Sequence, residues 1–284
     1  MNVLITGGSG LLGKSLRETK PAEARVKATW YTNCVGAEYQ MDVCNRSQVN
    51  YIFNLVRPDV VIHCAANGSV DYAERNYSEV NQVNVEGTRN AGAAAKEFGA
   101  KFVFISTNAV FSGNNPPYRE DSDRNPVNRY GAIKRAAENW VMEQNNWLII
   151  RPFLLYGWHH LNGRANWFTT ILNALTDSRQ LRLVDDIYWQ PTNARDCAKI
   201  IWLLIDQYKN EIFNLACDDR VTLYEFGQTI ARLWGYNGDL ITPIASSELK
   251  GIAPRPVDTT YDLSKIHGLG IELPGIEKGL KSLL

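Results

Sequence analysis

NVLITGGSGLLGKSL, residues 2–16, decides the fold. A short apolar run passes straight into glycine, and an apolar helical pattern begins at once. Gly7, Gly10 and Gly13 give a G-x-x-G-x-x-G spacing. One glycine permits a tight turn, another lets the backbone approach a pyrophosphate, and the last lets the helix pack closely on the strand. The helix start then offers free N–H groups and positive dipole to phosphate. A glycine triplet alone fits a purely structural turn. Between a buried strand and an apolar helix it favours a dinucleotide.

Outward from this turn, VKATWY, DVVIHCAA, KFVFIST and WLIIRPFLLYG read as further strands. Most are apolar almost throughout, as suits strands buried on both faces of a parallel sheet. Helical patterns separate them. In SQVNYIFNLVR, Val49, Ile52, Phe53 and Val56 share one face, and EVNQVNVEGTRNAGAAAKEFGA is rich in small residues. The alternation predicts an α/β chain, a Rossmann-type doubly wound parallel sheet with right-handed crossovers. After about Tyr156 the pattern changes. ANWFTTILNALTD, ARDCAKIIWLLIDQY and TLYEFGQTIARLWGY read as helices, with short strands LRLV and EIFNLA between them. The expected division is a dinucleotide-binding domain over 1–156 and a small mixed α/β substrate lobe over 157–284, with allowance for the chain to cross back to the sheet. Such a lobe closes a cleft at the carboxyl ends of the strands.

The 284 residues suffice for this arrangement. Apolar residues make up 45% and charged residues 21%, and formal net charge is zero. Bulk electrostatics therefore gives no case for nucleic acid or an anionic membrane. No apolar stretch approaches the ~20 residues of a membrane span, and the strand-like start carries no basic leader, so a cytoplasmic location is expected. Five cysteines with no close pairs suggest neither a zinc site nor a disulfide framework, and Cys64 reads as a core residue. Asp185 and Asp186 stand without other clustered ligands, so no metal is expected.

Rossmann sites that favour NAD place an acid after the second strand to meet the ribose hydroxyls. Here TWYTNC supplies none. Thr32 and Asn33 can receive a 2′-phosphate instead, with Lys14 adding charge, so NADP(H) is favoured and NAD(H) is the second candidate. Asp42 either bonds the adenine amino group or caps the helix near Asn45, and both readings stay open. FISTNAVFSG sets Ser106 and Thr107 at a strand end. NRYGAIKRAAENW sets Tyr130 and Lys134 one helical turn apart, facing the same cleft. A free tyrosine titrates near ~10. A lysine ammonium and an oxidised nicotinamide are expected to lower that value, while Thr107 holds the substrate oxygen beside the phenol. Tyr130 is the expected acid. His63 reads as a satisfied core residue, and His159 and His160 as an exposed loop pair pointing apart.

TGGSGLLG, HCAANGSVDYAE, NVEGT, ISTNAVFSG and YGAIK together resemble the extended short-chain dehydrogenases/reductases. Within them the chain is most similar to dTDP-4-dehydrorhamnose reductase-like proteins, through RPFLLYG, DDIYWQPTNARDCA and APRPVDTTYDLSKI as well. The resemblance implies hydride transfer from a nicotinamide to C4 of a nucleotide-linked 4-keto-6-deoxy sugar. Tyr130 would protonate the alkoxide, Lys134 would hold the nicotinamide ribose, and Thr107 would orient the carbonyl. Leu11, Leu12, Asp42, Val43, Ala65, Ala66 and Pro152 match cofactor-contacting positions. Asn166 and Arg255 match residues that meet the substrate's phosphates, and an arginine fork suits a diphosphate. The alternative for Arg255 is a surface salt bridge.

Two departures alter the expected sugar pocket. Asn108 and Ala109 stand where the rhamnose-pathway reductases commonly carry an acid and a tyrosine, and Leu154 replaces a tryptophan. The 4,6-dehydratases need an acid pair after the threonine, and the epimerase-reductases a cysteine at Ala109. Simple reduction remains. The alternatives are a sugar-nucleotide 4-epimerase and a non-catalytic NADP-binding subunit like the β subunit of methionine adenosyltransferase. The reading admits a homodimer.

Overall fold

A computed structural model describes residues 1–160, 163–248 and 253–284. The chain threads β1 (Asn2–Thr6), α1 (Leu11–Glu18), β2 (Arg25–Trp30), β3 (Tyr39–Gln40), α2 (Arg46–Val56), β4 (Val60–His63) and α3 (Val70–Arg75). A π-helical turn over Gln82–Glu86 then leads into α4 (Gly87–Glu97), followed by β5 (Lys101–Ile105), α5 (Arg129–Met142) and β6 (Trp147–Pro152). The second half adds α6 (Trp167–Thr176), α7 (Ala194–Gln207), β7 (Glu211–Leu215) and α8 (Leu223–Trp234). Seven strands pair in the order β7-β6-β5-β4-β1-β2-β3, every pairing parallel. This is the doubly wound α/β sheet that the alternation predicts.

Period-two alternation sorts the strand side chains onto two faces. Val3, Ile5, Ile62, Val103, Leu148 and Ile150 pack beneath α1 and α7. Their sequence neighbours Leu4, Val61, Phe102, Phe104 and Ile149 pack beneath α2, α4 and α5. Both sets are buried, which is why these runs read as continuously apolar. The small residues of α4 have a physical reason. At Gly92 a Cβ would stand 2.5 Å from the Trp140 ring, so α4 lies close against α5.

EIFNLA, expected in the second lobe, is β7 and forms the sheet edge beside β6, with Phe213 opposite Ile150. Before it, α7 lies over α1, where Trp202 Nε1 donates to the Leu16 carbonyl at 3.1 Å. What remains of the lobe is a third core built from α6, α8 and the C-terminal helix Ile276–Lys281, centred on Phe168, Ile171, Phe226 and Ile230. LRLV, Leu181–Val184, pairs there with Ile241–Ile244.

Candidate active site

At the carboxyl end of β1 the chain turns through Gly7 at φ +67°. A Cβ on Gly7 would stand 2.7 Å from the Ala65 backbone, so the turn passes directly against the segment just past β4. At Gly13 a Cβ would come within 2.6 Å of Gly8 Cα, which holds α1 tightly on the turn. Gly10 caps α1 without any side-chain hydrogen bond. First-turn amides therefore face the turn with no side-chain acceptor, and the glycines form a cradle that side chains would fill. Leu12 is buried beneath α1, whereas Leu11 reaches toward Gly157. The arrangement fits a dinucleotide pyrophosphate.

Around the expected adenosine end, several assignments change. Lys14 forms an ion pair with Glu18 at 2.7 Å rather than turning to the loop after β2. Thr32 is exposed, and Asn33 Oδ1 accepts from Val35 N at 3.3 Å. Asp42 does not cap α2. Asn45 does, accepting from Gln48 N at 3.1 Å, while Asp42 Oδ1 accepts from Cys44 N at 2.8 Å in a local turn. Val43 is buried against Gly87, where an added Cβ would meet it at 2.6 Å. Ala65 and Ala66 lie just past β4, and Pro152 ends β6 opposite Leu215.

Thr107 and Tyr130 meet because α5 starts against the turn that follows β5. Asn128 caps α5, accepting from Gly131 N at 2.9 Å and donating to the Pro254 carbonyl at 3.0 Å. Gly131 has no room for a side chain, since a Cβ would lie 2.1 Å from the Ala109 carbonyl oxygen. That close approach sets Tyr130 beside the turn that carries Thr107, whose hydroxyl accepts from the Ala109 N–H at 3.1 Å and donates to Asn108 Oδ1 at 3.3 Å. Burial raises the phenol above its ordinary pKa, offset only in part by the Thr107 hydrogen bond and the Arg164 charge. The expected lowering by Lys134 is not found. Lys134 is itself buried and pushed down to about 7 by desolvation, against the opposing charge of Glu138. Its ammonium donates to the Ile105 carbonyl at 2.7 Å and lies 4.1 Å from the Phe104 ring centroid. A protonated phenol beside a lysine near neutrality can give up a proton and have it replaced.

Beneath them runs a network that sequence reasoning missed. Glu138, one turn beyond Lys134, accepts a fork from Arg151 Nε and Nη2, both at 2.8 Å, and a third bond from Arg124 at 2.8 Å. Glu138 and Arg151 are wholly buried. Burial alone would raise the Glu138 carboxyl, but Arg151, Ser106 and Arg124 hold it below its ordinary range. The signal was present in the i, i+4, i+8 spacing of Tyr130, Lys134 and Glu138.

The substrate-side residues divide. Asn108 is committed to the C-terminal segment, donating to Thr259 Oγ1 at 2.7 Å. Leu154 adopts φ +26°, rare for a branched side chain, and its carbonyl accepts from Thr192 N at 3.2 Å. Asn166 is the N-cap of α6, with a reciprocal bond to Thr169, and its amide donates to the Gly157 carbonyl at 2.8 Å. Its side chain is thereby occupied, and the N-x-x-T spacing is the capping signal that was overlooked. Arg255 pairs with Asp71 at 3.0 Å, the salt-bridge alternative, and stays partly exposed. Arg164 was not anticipated. It lies near Gly68, where an added Cβ would be 3.3 Å from its Nη1, and its charge reaches Tyr130.

Both histidine assignments are now specific. His63 is a satisfied core residue between Thr6 at 2.8 Å and Thr88 at 3.2 Å, and burial lowers it to about 3. His160 is not a free loop residue, because its Nε2 meets Arg17 Nη2 at 3.2 Å. Asp185 accepts from Thr222 at 2.7 Å and Asp186 from Ser246 N at 2.8 Å. No described helix is long and apolar enough to cross a membrane.

Comparison with known proteins supplies the context for this geometry. A family model described as RmlD substrate binding domain matches residues 1–284. Methionine adenosyltransferase 2 subunit beta of Bos taurus is 30% identical over 280 residues, covering 95% of this chain and 82% of that protein. A dTDP-4-keto-6-deoxy-D-glucose reductase of Streptomyces niveus is 28% identical over 260 residues, covering 89% of this chain and 85% of that protein. The crystal structure of dTDP-4-dehydrorhamnose reductase from Bacillus anthracis in complex with NADP superposes with a TM-score of 0.89. It shares 30% identity and covers 99% of this chain and 97% of that one.

Proposed function

The chain belongs to the RmlD substrate binding domain family, and from that premise we propose that it is an NADPH-dependent reductase of nucleotide-linked 4-keto-6-deoxy sugars. The observation that carries this reading is the start of α5 packed against the Thr107 turn, which sets Tyr130, with Lys134 one turn on, beside Thr107. A bound nicotinamide supplies the hydride. The glycine turn and α1 hold the cofactor's pyrophosphate, and the Ala65–Ala66 segment and Pro152 line its path toward the site. Thr107 orients the C4 carbonyl oxygen of the sugar toward Tyr130. Tyr130 donates its proton to that oxygen as negative charge develops there. A phenol kept above its ordinary pKa is protonated at neutral pH, as an acid must be. Lys134, at about 7, replenishes the proton and holds the cofactor ribose. Arg255 and Arg164 face the anionic substrate, Arg255 exchanging Asp71 for a phosphate oxygen. Asn166 contributes through the start of α6 rather than through its own amide.

The similarity to a methionine adenosyltransferase subunit favours a second reading, a cofactor-binding subunit that regulates another enzyme. One experiment separates the two. NADPH consumption is measured with a panel of dTDP-, GDP-, UDP- and CDP-linked 4-keto-6-deoxy hexoses, with Tyr130→Phe alongside. Rapid oxidation with one donor, lost in the variant while NADPH binding is retained, is expected. Tight NADPH binding without turnover on any donor would leave the regulatory reading.

A further inference from the structure

Near the carboxyl end a strap, residues 253–261, passes the start of α5. Most of it is pinned through Asn128, Thr259, Thr260 and Tyr261, all buried. Asn128 donates to the Pro254 carbonyl at 3.0 Å, Asn108 to Thr259 Oγ1 at 2.7 Å, and Tyr118 N to the Thr260 carbonyl at 2.8 Å. Gln190 Oε1 accepts from Tyr261 N at 2.7 Å. The front of the strap is held differently. Asp71, in the first turn of α3, accepts from Ala253 N on Oδ1 at 3.1 Å and meets Arg255 Nη2 with Oδ2 at 3.0 Å. Arg255 Nη1 turns back to the Ala253 carbonyl at 3.2 Å. The Asp71 and Arg255 side chains keep 43% and 32% of their surface in solvent. Three residues further along α3, Glu74 accepts from Arg129 N at 3.1 Å. The same short helix thus grips both the strap and the first residue of the helix that carries Tyr130.

A carboxylate with one oxygen on a guanidinium and the other on a backbone N–H occupies an anion position. An ion pair this exposed is weak, and its partners exchange readily. A diphosphate carries more than one negative charge and offers an arginine fork two oxygens on one phosphorus, a better match than a single shared oxygen. We propose that Asp71 is a built-in competitor for the diphosphate of the sugar nucleotide, holding Arg255 and the front of the strap until a phosphate takes its place. The inference rests on the sugar-nucleotide reading and deepens it, by adding a residue that sets how tightly that ligand is held. Asp71 is a positioning residue, acting through Arg255 rather than on the reacting atoms. Its displacement releases the strap at Ala253, next to the carbonyl that receives Asn128, the cap of α5. Phosphate binding is thereby felt at the turn that starts the Tyr130 helix. A neutral sugar brings nothing that displaces a carboxylate, so the exchange selects an anionic donor.

The test is calorimetric titration of the full chain with dTDP, UDP, GDP and CDP, in saturating NADP+ so that the dinucleotide site is filled. Wild type, Asp71→Asn, Arg255→Met and the double variant are compared, after thermal unfolding has verified that each is folded. Asparagine keeps an acceptor for Ala253 N but carries no charge. Asp71→Asn should therefore bind the preferred nucleotide about threefold to fivefold more tightly than wild type, as expected for release of one exposed ion pair. A merely structural lesion would weaken binding, so the direction of change is diagnostic. Arg255→Met should lose affinity, and in that background Asp71→Asn should give little further gain, because the two residues act as a pair. Unchanged or weaker binding by Asp71→Asn would overturn the proposal and leave the sugar-nucleotide reading standing. So would full affinity in Arg255→Met, or a gain from Asp71→Asn that persists undiminished without Arg255. If no nucleoside diphosphate binds either the wild type or Asp71→Asn, the sugar-nucleotide reading falls together with the competitor.

Discussion

Burial takes Lys134 down to about 7 while the folded chain keeps it bonded to the Ile105 carbonyl. In the unfolded chain a lysine titrates near ~10.4. Between about 7 and that value the unfolded state therefore holds one more proton than the folded state. Stability contributed by this residue rises with pH across the window and is lower, by a constant amount, beneath it. Urea unfolding of the wild type and Lys134→Met, compared from about pH 6 to about pH 9, should show the wild type gaining relative to the variant as pH climbs. A constant difference would mean that Lys134 titrates as an ordinary surface lysine. Asn166 offers a separate test of a single side chain. Asn166→Ala removes the cap of α6 and should cost about 1 kcal/mol, within a range of roughly 0.5–2, in chemical unfolding. If Asn166 served substrate phosphate alone, stability would not move.

Tyr130, Lys134 and Glu138 lie on successive turns of α5, so that helix is one device with an anchor at its buried end. Glu138→Gln leaves the Arg151 and Arg124 guanidiniums without their anion, at a cost of about 3–5 kcal/mol that urea unfolding would register. Restoring charge balance with Glu138→Gln/Arg151→Met should recover part of the loss. Gly131→Ala acts at the other end. Its methyl group meets the Ala109 carbonyl and must push α5 away from Thr107, lowering kcat about 100-fold, since a shift of about 1 Å in a reacting group is enough for that. A variant with normal kcat would show that the approach of α5 to the Thr107 turn does not matter. Elements of this kind were legible where the signal is local. NVLITGG announced strand, turn and helix within a dozen residues, and the apolar runs announced a sheet buried on both faces. EIFNLA reads as a strand but does not name its partner, and its pairing with β6 spans more than sixty residues of chain. Arg151 lies inside an apolar run, and nothing local to Glu138 marks it as that residue's buried partner. Arg17 and Arg164 belong to no motif. Their positions follow from how loops from the two halves meet, which no spacing encodes.

Taken whole, the molecule is a sheet completed from its own second half. A fragment ending at residue 156 lacks α7 and β7, so Leu12, Leu16 and Ile150 lose the cover of Ile201, Ile205 and Phe213. Such a fragment should bind a hydrophobic dye and lack a cooperative unfolding transition, whereas a self-sufficient domain would unfold sharply. Saturating NADPH should stabilise the intact chain by about 2.7 kcal/mol at one hundred times its Kd, seen as a rise in Tm, because binding to the folded state alone pulls the equilibrium.

The segment near the carboxyl end reaches back over the cleft. Arg255 meets Asp71, the Pro254 carbonyl receives Asn128, Thr259 holds Asn108, and Tyr261 bridges to Tyr118. During synthesis the glycine turn emerges well before this strap, so the wall that the strap provides is built only after both halves of the sheet have followed. A chain cut just before Pro254 would keep the glycine turn and Tyr130 but lose the strap that meets Asp71, Asn128 and Asn108.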